Sequence, residues 1–256
     1  MSKLDPAKPS YYIDLHCHLD LYPNFEELIL ECEKNQIFTL AVTTTPRAWP
    51  RNSALTENLK FVRPALGMHP QLINKSSSAD WLLFKDTVPS VKYVGEIGLD
   101  GSRDYAENFE LQKEIFKDTL ILCSMHGPKV LSVHLVKSVR VGLDMVEEYA
   151  KPEKVTVILH WFTGTKQQAV RAIEMGCYFS INSKMLESRS FLETLKLIPL
   201  DRILVETDGP FIRDSSEVPL DPRASQKIVA SMSKILDLEA EKLKAIIFNN
   251  FAKIIQ

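Results

Sequence analysis

Ile13-Asp14-Leu15-His16-Cys17-His18-Leu19-Asp20 reads as a β-strand ending in two histidines two residues apart. Side chains alternate faces along a strand, so Asp14, His16 and His18 share one face while Leu15, Cys17 and Leu19 share the other. Two imidazoles on one face of a strand end have the geometry for two neutral nitrogen ligands to meet one divalent ion. An isolated His-x-His also occurs as an ordinary polar pair, so the rest of the chain has to decide. Immediately downstream, residues 23–36 carry Phe25, Leu28, Ile29 and Cys32 at helical spacing, which predicts a helix after the first strand.

The same alternation recurs along the chain. Apolar, β-branched strands are predicted over 37–45, 63–70, 91–100, 129–135, 155–162, 177–182 and 201–207. Between and after them, helical patterns cover 79–86, 108–125, 141–150, 166–175 and 191–197, and two more close the chain over 224–236 and 239–255. Pro46 ends the second strand in a Trp- and Pro-containing connection through Pro50, and Gly127-Pro128 stops the longest helix. Eight β-then-α units in 256 residues predict an α/β fold, a closed (β/α)8 TIM barrel with an extra C-terminal helix. An open doubly wound sheet is the alternative, but no Gly-rich phosphate fingerprint follows the first strand. One domain over 1–256 is expected, with residues 1–10 as a flexible N-terminal segment.

Composition narrows the class. The chain is 45% hydrophobic and 25% charged, with no apolar run of the roughly 18 residues a membrane span needs and no secretory leader, so a cytoplasmic protein with no membrane partner is expected. Cys17, Cys32, Cys123 and Cys177 form no C-x-x-C pair and read as buried reduced thiols. A formal net charge of −2 argues against coating nucleic acid through bulk positive charge. It leaves a nuclease open, since bound ions and a few local basic residues can neutralise one phosphate.

Position then singles out the polar residues. His16, His18, Glu96, His134, His160 and Asp208 all fall at or near C-terminal ends of predicted strands, and a barrel brings those ends together. Four imidazoles and two carboxylates exceed one tetrahedral ion with an open position and suit two metals. Glu96, with two oxygens, is the expected bridge, with His16, His18 and Asp208 on one ion and His134 and His160 on the other. Such a His-rich shell fits Zn²⁺, Mn²⁺ or Fe²⁺ better than Mg²⁺.

With these residues assembled, the chain resembles the TatD family of metal-dependent hydrolases and nucleases, which belongs to the amidohydrolase-type barrels. The pieces are Asp14-Leu15-His16-Cys17-His18-Leu19-Asp20, Gly67-Met68-His69-Pro70, Gly95-Glu96-Ile97-Gly98-Leu99-Asp100, the strand at His134, His160-Trp161-Phe162-Thr163-Gly164 and Glu206-Thr207-Asp208-Gly209-Pro210. Asp20-Leu21-Tyr22-Pro23-Asn24, Thr43-Thr44-Thr45-Pro46, His69-Pro70-Gln71-Leu72 and Leu99-Asp100-Gly101-Ser102 look more like the TatD-type nucleases of the Qat anti-phage defence system, QatD, than like housekeeping TatD enzymes. The resemblance implies divalent metals on the six residues named, Mg²⁺ included, and hydrolysis of DNA, often from the 3′ end. It also implies that His69 contacts substrate phosphate, that Glu206 supports the catalytic Glu96 and Asp208, and, in the narrower form, that other Qat proteins are partners. The chain departs from the family pattern after His134, where Arg commonly sits two residues on and this chain has Leu135-Val136-Lys137, so that Lys137 could take over its contact, at Gly101-Ser102 in place of an aromatic, and at Gly209 in place of Ser or Ala.

The expected nucleophile is metal-activated water, with Asp208 taking its proton, since no Gly-x-Ser-x-Gly elbow or Cys/His pair competes. Arg47, Arg51, Lys137, Lys166 and Arg213 follow strands on the active face and are candidates for phosphate contact, Lys137 and Arg213 foremost. Trp49, Trp161 and Phe211 share that rim and could stack bases of single strands or frayed ends. A metal-dependent amidohydrolase or aminoacyl-ester deacylase, acting on a small molecule or charged tRNA, is the competing reading, because the same shell polarises a carbonyl. A catalytically weak binding subunit would have no need of six ligands.

Overall fold

The computed structural model describes residues 11–255; residues 1–10, expected to be flexible, lie outside the described residues. Strands β1 (Tyr12–Cys17), β2 (Ile37–Val42) and β3 (Val62–Ala65) form one parallel ladder in sequence order. A second parallel ladder runs through β4 (Tyr93–Asp100), β5 (Lys129–Val136), β6 (Val155–His160), β7 (Tyr178–Ile181) and β8 (Ile203–Val205). All six residues of β2 and all four of β7 are buried, as expected of parallel strands covered on both sides.

The two ladders close into a ring. At one junction Leu66 bridges Val94, and Gly95 N–H donates to the Leu66 carbonyl at 2.9 Å. Gly67 sits in the crowded corner beyond β3, where its N–H donates to Thr43 Oγ1 at 2.8 Å. A Cβ there would overlap the Thr43 carbonyl and the Glu96 amide, so only glycine lets these three chain segments approach. At the other junction Asp208 N–H donates to the His16 carbonyl at 2.9 Å and His18 N–H to the Gly209 carbonyl at 2.8 Å. The predicted barrel is the observed one.

Helices α1 (Phe25–Lys34), α2 (Trp49–Thr56), α3 (Ser78–Thr87), α4 (Phe109–Met125), α5 (Val139–Tyr149) and α6 (Lys166–Glu174) follow their strands in turn. On α4 the buried residues are Gln112, Ile115, Phe116, Thr119, Leu120, Cys123 and Ser124, one face of an amphipathic helix. The α6 start is fixed by a capping box between Thr165 and Gln168. Phe84, Phe116 and Phe179 are fully buried, with Phe179 edge-on to Phe162 at 5.3 Å. After β8, α9 (Ser225–Ile235) and the extra helix α10 (Ala240–Ile254) pack across the ring junction, where Phe251 meets Phe38 at 4.2 Å and Asn250 Nδ2 donates to the Ile203 carbonyl.

Three expectations are corrected. The connection expected through Pro50 is helix α2, because proline in the first turn starts a helix as readily as it ends one. The pattern over 191–197 belongs to a pair of short helices, α7 (Ser183–Glu187) and α8 (Arg189–Leu195), the second capped by Ser188. Strand eight is shorter than 201–207: a 3₁₀ turn over Leu200–Arg202 precedes it, and Asp208, at φ 50°, turns the chain beyond it.

Candidate metal centre

The C-terminal ends of the strands bring the six expected ligand residues together, with Glu96 of β4 in the middle. Glu96 Oε2 lies 3.4 Å from His16 Nε2 and 3.1 Å from His18 Nε2. Its Oε1 lies 2.7 Å from His134 Nδ1, 3.2 Å from His69 Nε2 and 3.6 Å from His160 Nε2. Asp208 Oδ1 is 3.6 Å from His16 Nε2 and 3.9 Å from His18 Nε2. His16 and His18 Nε2 are 3.2 Å apart. Donors sharing one ion at bonds of about 2.1 Å stand roughly 3.0–3.4 Å from each other. The His16–His18–Glu96 triangle, with edges of 3.1, 3.2 and 3.4 Å, therefore has the dimensions of one face of a coordination shell.

The outer nitrogens select the tautomers. His16 Nδ1 lies 2.7 Å from Ser132 Oγ, His160 Nδ1 3.0 Å from Glu206, and His134 Nε2 3.2 Å from Asp100. A proton on Nδ1 of His16 and of His160 turns their Nε2 atoms toward Glu96, the arrangement metal-binding histidines require, whereas His134 meets a carboxylate at each ring nitrogen, Glu96 at 2.7 Å through Nδ1 and Asp100 through Nε2. His18 Nδ1 is buried with no hydrogen-bond partner. His69 is the opposite case. Its Nδ1 accepts the Gln71 N–H at 3.2 Å, so in the neutral ring its Nε2 carries the hydrogen and points a donor, not a ligand, into the cluster.

Burial acts against charge throughout. It pushes Asp208 up to about 7, with His160 and His18 pulling it back. Burial, seconded by His160, drives His16 down to about 3, which keeps its nitrogen neutral. Burial would also raise Glu96, but His69, His16 and the bond to His134 outweigh it and hold the carboxyl well below its ordinary range. Burial opposes the charged form of His160, yet Glu206 and Asp208 together lift it to about 10. Glu96, Glu206 and Asp208 thus draw positive charge to one spot, and a field that holds a proton there also favours a divalent cation. Donor types, tautomers and field all fit a metal centre.

Glu206 is wholly buried behind His160, where it also accepts from Trp161 N–H at 3.1 Å and Asn182 Nδ2 at 2.9 Å, and from Ser180 Oγ. It positions His160 and faces no open space. Asp14 holds the ring junction, accepting from Thr207 N–H at 3.0 Å and Thr207 Oγ1. Ser132, Ser180 and Asn182 lie outside the stretches singled out in the sequence, and Thr207 and Gln71 lie inside quoted stretches that assign them no role. Lone hydroxyls two residues before His134 and inside the apolar β7 were the available signal.

The rim sorts the basic residues. Arg47 pairs with Asp80, Arg51 with Glu26 at 3.0 Å and Lys166 with Glu193 at 3.7 Å, each basic side chain remaining exposed. Lys137 and Arg213 are exposed, and among the described residues neither has a carboxylate partner. The Arg213 guanidinium donates to the Glu217 carbonyl at 2.7 Å. Trp161 is half-buried and packs against the core, as Trp49 does.

A family model described as TatD related DNase matches residues 13–256. An uncharacterized metal-dependent hydrolase of Methanocaldococcus jannaschii is 26% identical over 249 residues, covering 94% of this chain and 96% of its own. The Homo sapiens deoxyribonuclease TATDN3 is 26% identical over 228 residues, 82% of each chain. Among solved structures, the TatD homologue YJJV of Escherichia coli superposes with a TM-score of 0.85 at 24% identity over 95% of this chain and 97% of that one. A Campylobacter jejuni dihydroorotase superposes at 0.62 and 13% identity over 96% and 83%, which shows a shared fold.

Proposed function

The chain belongs to the family of TatD-related DNases, and from that membership we propose that it is a two-metal phosphodiesterase that degrades DNA from single-stranded or frayed ends, 3′ to 5′. One observation carries the reading: Glu96 turns one oxygen toward His16 and His18 and the other toward His134 and His160. Glu96, His16, His18 and Asp208 on one side and Glu96, His134 and His160 on the other would hold two divalent ions, Zn²⁺, Mn²⁺ or Mg²⁺. Ions held there lower the pKa of water toward neutrality and offset charge developing on phosphoryl oxygens. Asp208, 3.6 Å from His16 and 3.9 Å from His18, is the carboxylate placed to take the proton of that water. His69 donates its Nε2–H to a phosphate oxygen. Lys137 and Arg213 take flanking phosphates, and Glu206, Asp100 and Ser132 hold the three histidines in register. The stretches 20–24, 43–46, 69–72 and 99–102 support a role in anti-phage defence beside other Qat proteins.

The test is digestion of 5′-labelled single-stranded and duplex DNA by wild type and Glu96→Ala, with each metal or EDTA. Metal-dependent shortening from the 3′ end that is lost in Glu96→Ala is expected, and phage plating on cells carrying the same two alleles reads the defence role. Intact DNA with every metal would move the assignment to ester or amide hydrolysis.

A further inference from the structure

Beyond Asp208 the chain makes a small antiparallel arm. Leu220 N–H donates to the Ile212 carbonyl at 2.8 Å, Asp214 N–H to the Val218 carbonyl at 2.9 Å, and Arg213 bridges Pro219. The arm is rooted in the metal centre, since Phe211 and Ile212 N–H both donate to the Asp208 carbonyl, at 3.0 and 3.2 Å. Phe211 and Ile212 lie in the turn after Asp208; Ile212 is buried, while Phe211 and Arg213 on either side of it are exposed. Tyr22 Oη donates to the Leu220 carbonyl and fixes the far strand of the arm. That contact occupies the space a Cβ on residue 209 would need, so glycine at this position is what lets the arm sit against the site.

Phe211 is 58% exposed, and among the described residues no other phenylalanine, tyrosine or tryptophan falls in the exposed class. Its ring stands edge-on to His18, with centroids 5.0 Å apart and planes at 81°. A bare aromatic face beside a metal-ligand histidine, with an exposed guanidinium two residues along whose recorded partner is the Glu217 carbonyl and not a carboxylate, matches one chemistry: an unstacked nucleobase and its adjoining phosphate. We propose that Phe211 and Arg213 form an end-recognition platform, on which the terminal base of a single strand stacks while the guanidinium takes the next phosphate. This rests on the phosphodiesterase reading and adds what selects the substrate: a base freed from its duplex, of any identity.

The test uses the intact chain and an oligonucleotide carrying 2-aminopurine at its 3′ end, with binding read as fluorescence quenching in EDTA and cleavage read separately with metal. Wild type should quench. Phe211→Leu should abolish quenching and raise KM about tenfold with kcat held within about twofold, and Phe211→Trp should restore both. An abasic 3′ end should be cut equally by wild type and Phe211→Leu. Arg213→Ala should lower the salt dependence of binding by about one phosphate contact. Cleavage by wild type without quenching overturns the platform. Quenching without metal-dependent cleavage keeps the platform and overturns the phosphodiesterase reading instead.

Discussion

Replacing Glu206 by glutamine changes one atom and should disarm one metal ligand. The carboxylate accepts four hydrogen bonds, from His160 Nδ1, Trp161 N–H, Asn182 Nδ2 and Ser180 Oγ, in a site with no exposed surface. Glutamine offers one acceptor oxygen and a donor NH₂ group. With its oxygen on Trp161 and Asn182, the NH₂ meets the His160 Nδ1–H donor to donor. His160 escapes by moving its proton to Nε2, the nitrogen facing Glu96, and is then no longer a ligand. With the amide flipped, the Trp161 and Asn182 donors are stranded in the interior. Either outcome removes a charge-assisted bond worth about 1.5–3 kcal/mol. That corresponds to roughly 10–100-fold in metal affinity, the usual effect of removing the partner of a ligating histidine. Chelator-competition titration should show that loss for one ion, with kcat falling in parallel and the other ion held as before. Unchanged affinity for both ions, with only a lower melting temperature, would refute a positioning role and leave Glu206 a packing carboxylate.

Two further outcomes follow from buried groups. Burial holds the Asp14 carboxyl up at about 8 against the bonds from Thr207 and His16, from an ordinary value of 3.8. A raised acid stabilises the fold while protonated, so this contribution is complete below about pH 4 and is lost as pH rises through 8. In EDTA, melting temperature against pH should therefore decline over that window in wild type and decline less in Asp14→Asn; identical slopes would contradict it. Phe179→Ala, which empties the contact with Phe162 in the core, should cost about 3–5 kcal/mol in urea unfolding.

The barrel and its rim were legible because both are written in local patterns. Apolar strands alternate with helical stripes, and His16, Glu96, His134 and His160 each stand at a strand end, where the fold converges whatever lies between them. Other features depend on partners far along the chain. Arg47 and Arg51 read as candidates for phosphate contact, and their pairing with Asp80 and Glu26 is set only by the fold. Helix α2 was hidden because Trp49-Pro50 reads equally as a loop or a first turn. The tautomer of His69 depends on a backbone N–H two residues away, and no residue identity encodes that. Ser132 and Asn182 earn roles only through histidine and glutamate neighbours from other strands.

The ring closes through the site itself: Asp208 N–H binds the His16 carbonyl, and Thr207 binds Asp14, 193 positions earlier. During synthesis at about 5–20 residues per second, the two halves of that junction leave the ribosome roughly 10–40 s apart. A growing chain therefore carries its first histidines for most of its birth without the carboxylate that completes them. Until the last strand is in place, the cluster of histidines lacks Asp208.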